Sequence, residues 1–130
     1  MTDLIKRVEA ATEGSRELDA DVTLHEAKRD YPEARFIIDK DGNQMDWIQL
    51  APGLTGSDFP AYTSRAYDLT AAMTLVPEEW ETERISFLNE DTIVVNIRRD
   101  GHTIYGYGRT PALALTAAAL KAREIDNDQA

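Results

Sequence analysis

The chain contains no cysteine among its 130 residues. That excludes disulfide staples, thiolate nucleophiles and cysteine-based metal sites, so its stability must come from one hydrophobic core. Histidine is scarce. His25 and His102 have no partner at metal-ligand spacing, and His25-Glu26 lacks the second histidine of an H-E-x-x-H site. No metal, cofactor or catalytic residue is therefore expected. No apolar run approaches the roughly 20 residues that a membrane-spanning helix needs, so no membrane partner is expected either. The first seven residues mix acid and base and lack the basic-then-apolar order of a secretory signal. Together with the missing cysteine, this places the expected location in the cytoplasm.

Positive charge is also in short supply. Lys and Arg number 14 against 24 Asp and Glu, for a formal charge of −10. General nucleic-acid binding is excluded on that ground, because phosphate neutralisation supplies most non-specific affinity. The deficit is uneven. From Thr92 to Arg123 the basic residues Arg98, Arg99, Arg109, Lys121 and Arg123 stand against Asp100 alone, which leaves room for a small anion.

What is present fits a globular protein, with 42% apolar and 29% charged residues. Leu4, Ile5, Val8 and Ala11 recur at helical spacing, and the pattern predicts a helix over 2–12 capped by Thr2. Gly14 ends it, and Ser15 caps a second segment to about Arg29, which Tyr31-Pro32 stops. A hairpin follows. Strands over 35–39 and 44–50 flank Asp41-Gly42, the dipeptide preferred by a type I′ turn. Residues 51–60 read as a loop and a candidate lid. Thr63 or Ser64 then caps a helix through Val76 with Ala66, Leu69, Met73 and Val76 on its apolar stripe, and Pro77 ends it.

Strands over 84–88, 92–98 and 103–108 come next, the last two joined at Asp100-Gly101. Glycines at 106 and 108 leave one face of the last strand bare for close packing, with Tyr105 and Tyr107 on the other. Arg109-Thr110-Pro111 marks a helix start, threonine at the N-cap and proline first, and the helix runs to about Glu124. The order is α-ββ-α-βββ-α. The consecutive Ile93, Val94 and Val95 suggest a strand covered on both sides. The expected fold is therefore α+β, a mainly antiparallel five-stranded sheet with helices on both faces. Residues 1–125 form this single α-β-α sandwich domain, and 126–130 form a frayed acidic tail.

Three blocks carry a likeness to known proteins. They are Val8-Glu9-Ala10-Ala11-Thr12 with Ser15-Arg16-Glu17-Leu18-Asp19; Tyr62-Thr63-Ser64 with Ala71-Ala72-Met73-Thr74-Leu75-Val76-Pro77 and Trp80; and Thr110-Pro111-Ala112-Leu113-Ala114-Leu115 through Ala117-Ala118-Ala119-Leu120-Lys121-Ala122-Arg123. In their order and spacing the chain resembles the phage α-β-α sandwich domain family of small phage and prophage proteins. That resemblance implies a phage origin, a sandwich fold and residence in the host cytoplasm. It implies no established reaction.

Weighed as chemistry, the carboxylate pairs Asp19/Asp21, Asp39/Asp41 and Glu78/Glu79 read as solvated surface, since nothing sets two pKa values apart. Ser15, Ser57, Ser64 and Ser86 occupy no nucleophile elbow, and Gly106-Tyr107-Gly108 is no dinucleotide fingerprint. The remaining candidate is a ligand site. Arg109 and the free amides of the helix at Thr110 could hold an anion, with Arg98 beside them and Tyr105 and Tyr107 as stacking surfaces. Two functions are carried forward. One is non-catalytic binding of a protein partner or a second copy. The other is sequestration of a small phosphate-bearing ligand, a nucleotide-type signal in phage counter-defence.

Overall fold

The computed structural model describes residues 2–56 and 59–128. It is an α+β fold of four helices and two separate three-stranded antiparallel sheets. Helices α1 (Thr2–Ala10) and α2 (Arg16–Asp30) lead into β1 (Arg35–Ile38), β2 (Gln44–Ala51) and β3 (Leu54–Thr55). Then follow α3 (Thr70–Leu75), β4 (Glu81–Asn89), β5 (Thr92–Arg99), β6 (His102–Gly108) and α4 (Pro111–Asp128).

The last helix is the centre of the molecule. From Ala112 to Leu120 every residue is buried. Ala114, Leu115, Ala118 and Ala122 pack with Trp80, Ile93, Val95, Ile97 and Ile104. Leu113, Ala117 and Leu120 pack with Leu4, Ile5, Val8, Leu18, Val22, Tyr62 and Leu75. A helix apolar all round belongs inside, and the alanines let its neighbours come close. The bare face of β6 explains how close. A Cβ on Gly106 would lie 2.2 Å from the Ala114 carbonyl oxygen, and one on Gly108 would lie 2.6 Å from the Ala114 nitrogen. Those glycines let a helix backbone rest on the strand.

One five-stranded sheet clad on both sides is not what forms. β2 pairs with β1 on one side and with β3 on the other, so the first hairpin finds its third strand locally. The outer edge of β6 is closed to any further strand. Glu9 accepts from the Tyr107 amide at 3.1 Å, while Lys121 donates to the Tyr105 carbonyl at 2.8 Å and pairs with Glu9 at 2.8 Å. The first sheet packs instead on α2, through Ile48, Phe36 and Phe59 against Ala20, Leu24 and Ala27. The layers run from β4–β5–β6 through α4 to α1 and α3, and the far face of β4–β5–β6 stays open.

Local expectations fare unevenly. Ser15 caps α2 by accepting from the Leu18 amide at 3.0 Å. Thr110 caps α4 in the same way for Leu113, at 3.1 Å. The side chain of Thr2, expected to cap α1, lies outside the described residues. The helix expected over 63–76 shrinks to six residues. Thr63 is drawn elsewhere, its amide and hydroxyl each donating to Asp19 at 2.7 Å. Asp19, read as a solvated surface acid, is fully buried in this knot, which Arg16 joins at 3.0 Å. Gly14 permits it, because a Cβ there would collide with the Thr63 carbonyl. The expected tail at 126–130 is helical through Asp128, with Asp126 paired to Arg99 at 2.5 Å. Residues 129 and 130 lie outside the described residues.

The loop over 51–60 is tied down where it is described. Gly56 donates to the Ile48 carbonyl at 2.8 Å. Phe59 is buried, edge-on to Phe36 at 6.0 Å between centroids, and its carbonyl accepts from Arg16 at 2.7 Å.

Candidate functional site

The open face of the second sheet gathers three of the five residues singled out for ligand binding. Paired residues in an antiparallel ladder share a face. The pairing is Ser86–Val94–Tyr107, Arg84–Asn96–Tyr105 and Glu81–Arg98–Thr103, three cross-strand rows turned away from α4. Arg98, Tyr105 and Tyr107 therefore stand on one surface, the tyrosines 47% and 41% exposed. Arg84 and Asn96 join them and were missed in the sequence. Arg84 alternates with the apolar Ile85, a hint of its face, but only the register sets it in one row with Tyr105, across Asn96.

Arg109 is exposed just past the end of β6. Thr110 does not complete an anion site with it. The amide of Ala112 donates to the Ala66 carbonyl at 3.1 Å, Leu113 donates to Thr110 itself, and Pro111 has no N–H. The first turn of α4 thus has its donors met from within, and the expected convergence on this helix start does not occur.

Most of the basic stretch is likewise engaged. Arg99 pairs with Asp126 and lies over the Trp80 ring at 4.6 Å. Arg123 pairs with Glu26 at 2.7 Å and donates to the Leu75 and Thr74 carbonyls, closing the end of α3. Among the described residues, no ion pair joins Arg84, Arg98 or Arg109.

Of the clefts elsewhere, two bear on the chemistry. One, of about 610 Å³, is lined by Arg16, Phe59, Ser64, Arg65, Asp68 and Thr74 among others. Its charges are already matched, Arg16 to Asp19 and Arg65 to Asp68 at 3.6 Å. The second, of about 330 Å³, holds Glu26, Arg29, Tyr62 and Arg123. Burial works to raise the Glu26 carboxyl. The His25 hydrogen bond and the charges of Arg123 and Arg29 outweigh it and hold its pKa below the ordinary carboxylate value. Burial first, and then the Glu26 charge, push the Tyr62 phenol up. A carboxylate locked as an anion and a phenol locked neutral make a structural clamp between α2, α3 and α4. They form no acid–base pair poised near neutrality.

His25 sits in that clamp at 3.1 Å from Glu26, and His102 stands edge-on to Trp80 with ring centroids 6.5 Å apart. No described helix is long and apolar enough to cross a membrane. Compared with known proteins, the chain matches no family model, no curated protein and no solved structure.

Proposed function

We propose that this chain is a non-catalytic binding protein, a small accessory protein of phage or prophage type. It acts in the host cytoplasm through a protein partner or by self-association. The observation that carries this reading is the uncovered face of β4–β5–β6, where the exposed Tyr105 and Tyr107 share one surface with Arg84 and Arg98 on a rigid sheet. Tyrosine and arginine are enriched where interfaces concentrate their binding energy, and a sheet anchored on a buried helix presents them without a large ordering cost. The sequence resemblance supplies the phage setting. Affinity capture with the wild type and with a Tyr105→Ala/Tyr107→Ala variant as baits tests the reading. A specific protein held by the first and released by the second supports it. Identical recovery on both baits rejects this face as the binding surface.

A second reading has its own support. Among the described residues Arg84, Arg98 and Arg109 are engaged in no ion pair, and the half-exposed Tyr105 ring offers stacking surface next to Tyr107, which carries the Lys121 ammonium 5.4 Å from its centroid, a combination that suits a nucleotide-type signal. Binding to the folded state alone, at about 100-fold excess over Kd, adds about 2.7 kcal/mol of stability. A thermal-shift screen against cyclic and linear nucleotides reads this directly. A shift lost in Arg98→Ala favours sequestration, and a flat panel rejects it.

A further inference from the structure

We infer that the free edge of β4 pairs antiparallel with the same edge of a second copy, about a two-fold axis at Ser86, joining two three-stranded sheets into one of six. The inference rests on the binding reading above and names its partner. The two edges of the second sheet are treated differently. At β6, Glu9 and Lys121 occupy the outward amide and carbonyl of Tyr107 and Tyr105. At β4, the longest described strand at nine residues, no strand pairs on the outer side. Its first half carries Glu81, Glu83 and Arg84. Its second half exposes Ile85, Phe87 at 71% and Leu88 at 64%, with Met73 of α3 exposed beside Thr82. An unpaired edge with apolar side chains is a template for another strand.

The sequence of β4 favours itself as that strand. With Ser86 opposite Ser86 of the second copy, Ile85 of each copy faces Phe87 of the other, and this apolar pair occurs twice. The regular stretch of β4 runs from Arg84 to Phe87, between register shifts against β5 at Thr82/Arg84 and at Phe87/Asn89, so the symmetric pairing rests on Ile85, Ser86 and Phe87. The symmetric registers shifted toward the charged first half are worse. Centring on Arg84 opposes two guanidinium groups, and centring on Ile85 sets Glu83 against Phe87. Such a contact is self-complementary and closes as a dimer. With the axis normal to the sheet, the two α4 layers share one side and the two tyrosine faces the other.

Because the protein has no cysteine, Ser86→Cys introduces a single thiol at the axis. Directly opposed residues of an antiparallel pair have Cα atoms about 4.5–5.5 Å apart, inside disulfide reach. Light scattering should give twice the 14.6 kDa chain mass. Ser86→Cys should oxidise to a covalent dimer well ahead of a Lys40→Cys control in the exposed first hairpin turn. Phe87→Lys should return the chain mass with an unchanged circular-dichroism spectrum. If Ser86→Cys folds poorly, amide exchange of wild-type β4 should slow as concentration rises. A wild type at chain mass at every concentration overturns the dimer, while the capture experiment on the tyrosine face still tests binding on its own. A dimer that survives Phe87→Lys and cross-links no faster at 86 than at 40 places the contact elsewhere and overturns this one. A monomer whose captured protein is lost in Phe87→Lys gives the edge to a foreign strand and also overturns the second copy.

Discussion

The two sheets have the same number of strands and the same antiparallel order, yet they are held in opposite ways. In β4–β5–β6 the strand backbone lies against α4, with Gly106 and Gly108 leaving no room for a side chain. In β1–β2–β3 the attachment is by side chains, Ile48 and Phe36 packing toward α2 together with Phe59 from the segment that follows. The first sheet can therefore loosen while the body of the protein persists, whereas the second cannot separate from the central helix without loss of the core. Cooperative units within one domain differ in this manner when one owns the main core and the other a satellite cluster.

The sharpest way to break this comparison is Gly106→Val, which drives side-chain atoms into the backbone of α4. Overpacking costs about 1–3 kcal/mol and occasionally more, and with a rigid helix opposite we expect at least the top of that range, read by urea denaturation. Ile48→Ala should cost about 2–5 kcal/mol in the cooperative unit that contains it. Its hydrogen-exchange protection should fall in β1 and β2 while β5 holds. Equal loss in both sheets would show a single unit instead.

The knot that ties α2 to the segment after the first sheet comes next in size. Asp19→Ala strands the buried Thr63 amide, and an unpaired buried donor costs about 1–3 kcal/mol, measurable as a shift in urea midpoint. The Glu26 clamp predicts a pH dependence. Its folded pKa is depressed, so its contribution is present above the unfolded carboxylate value and is lost as pH falls through the folded one. Acid titration of stability should therefore flatten in Glu26→Gln on the acidic side and stay unchanged near neutrality. Smallest is Lys121→Met. Part-exposed ion pairs contribute about 0–1 kcal/mol, so the melting temperature should barely move while the edge of β6 gains amide exchange at Tyr107.

Much of this was legible along the chain. The caps at Ser15 and Thr110, the bare face of β6 and the strand order all follow from short-range chemistry. Two identical dipeptides show where such reading stops. Asp100-Gly101 adopts φ of 49° and 81° between paired Arg99 and His102, the tight turn that type I′ requires. Asp41-Gly42 does not, for among described residues Asp100 alone has positive φ outside glycine. There the Asp39 carboxylate accepts from the Asp41 and Asn43 amides, both at 2.9 Å, and opens the turn wider. A neighbour two residues upstream decided it. Thr63 was misread for a longer-range reason, since its partner Asp19 lies 44 residues away. Of the expected ligand site, Arg98 with its two tyrosines shares a face as strand alternation implies. The helix start at Thr110 was lost to the Ala66 carbonyl, a contact that no periodicity announces.

By itself the sequence determined the α+β class, the five longer strands in their chain order, and the bare glycine face of β6. Those are consequences of alternation, spacing and capping within a few residues. Only the tertiary structure decided that five expected strands would divide into two sheets and that Asp19 would be buried. It also decided that one sheet face and the β4 edge would be left open. Each of these depends on which distant group claims a backbone amide or a buried carboxylate first, and that competition is settled by packing in three dimensions.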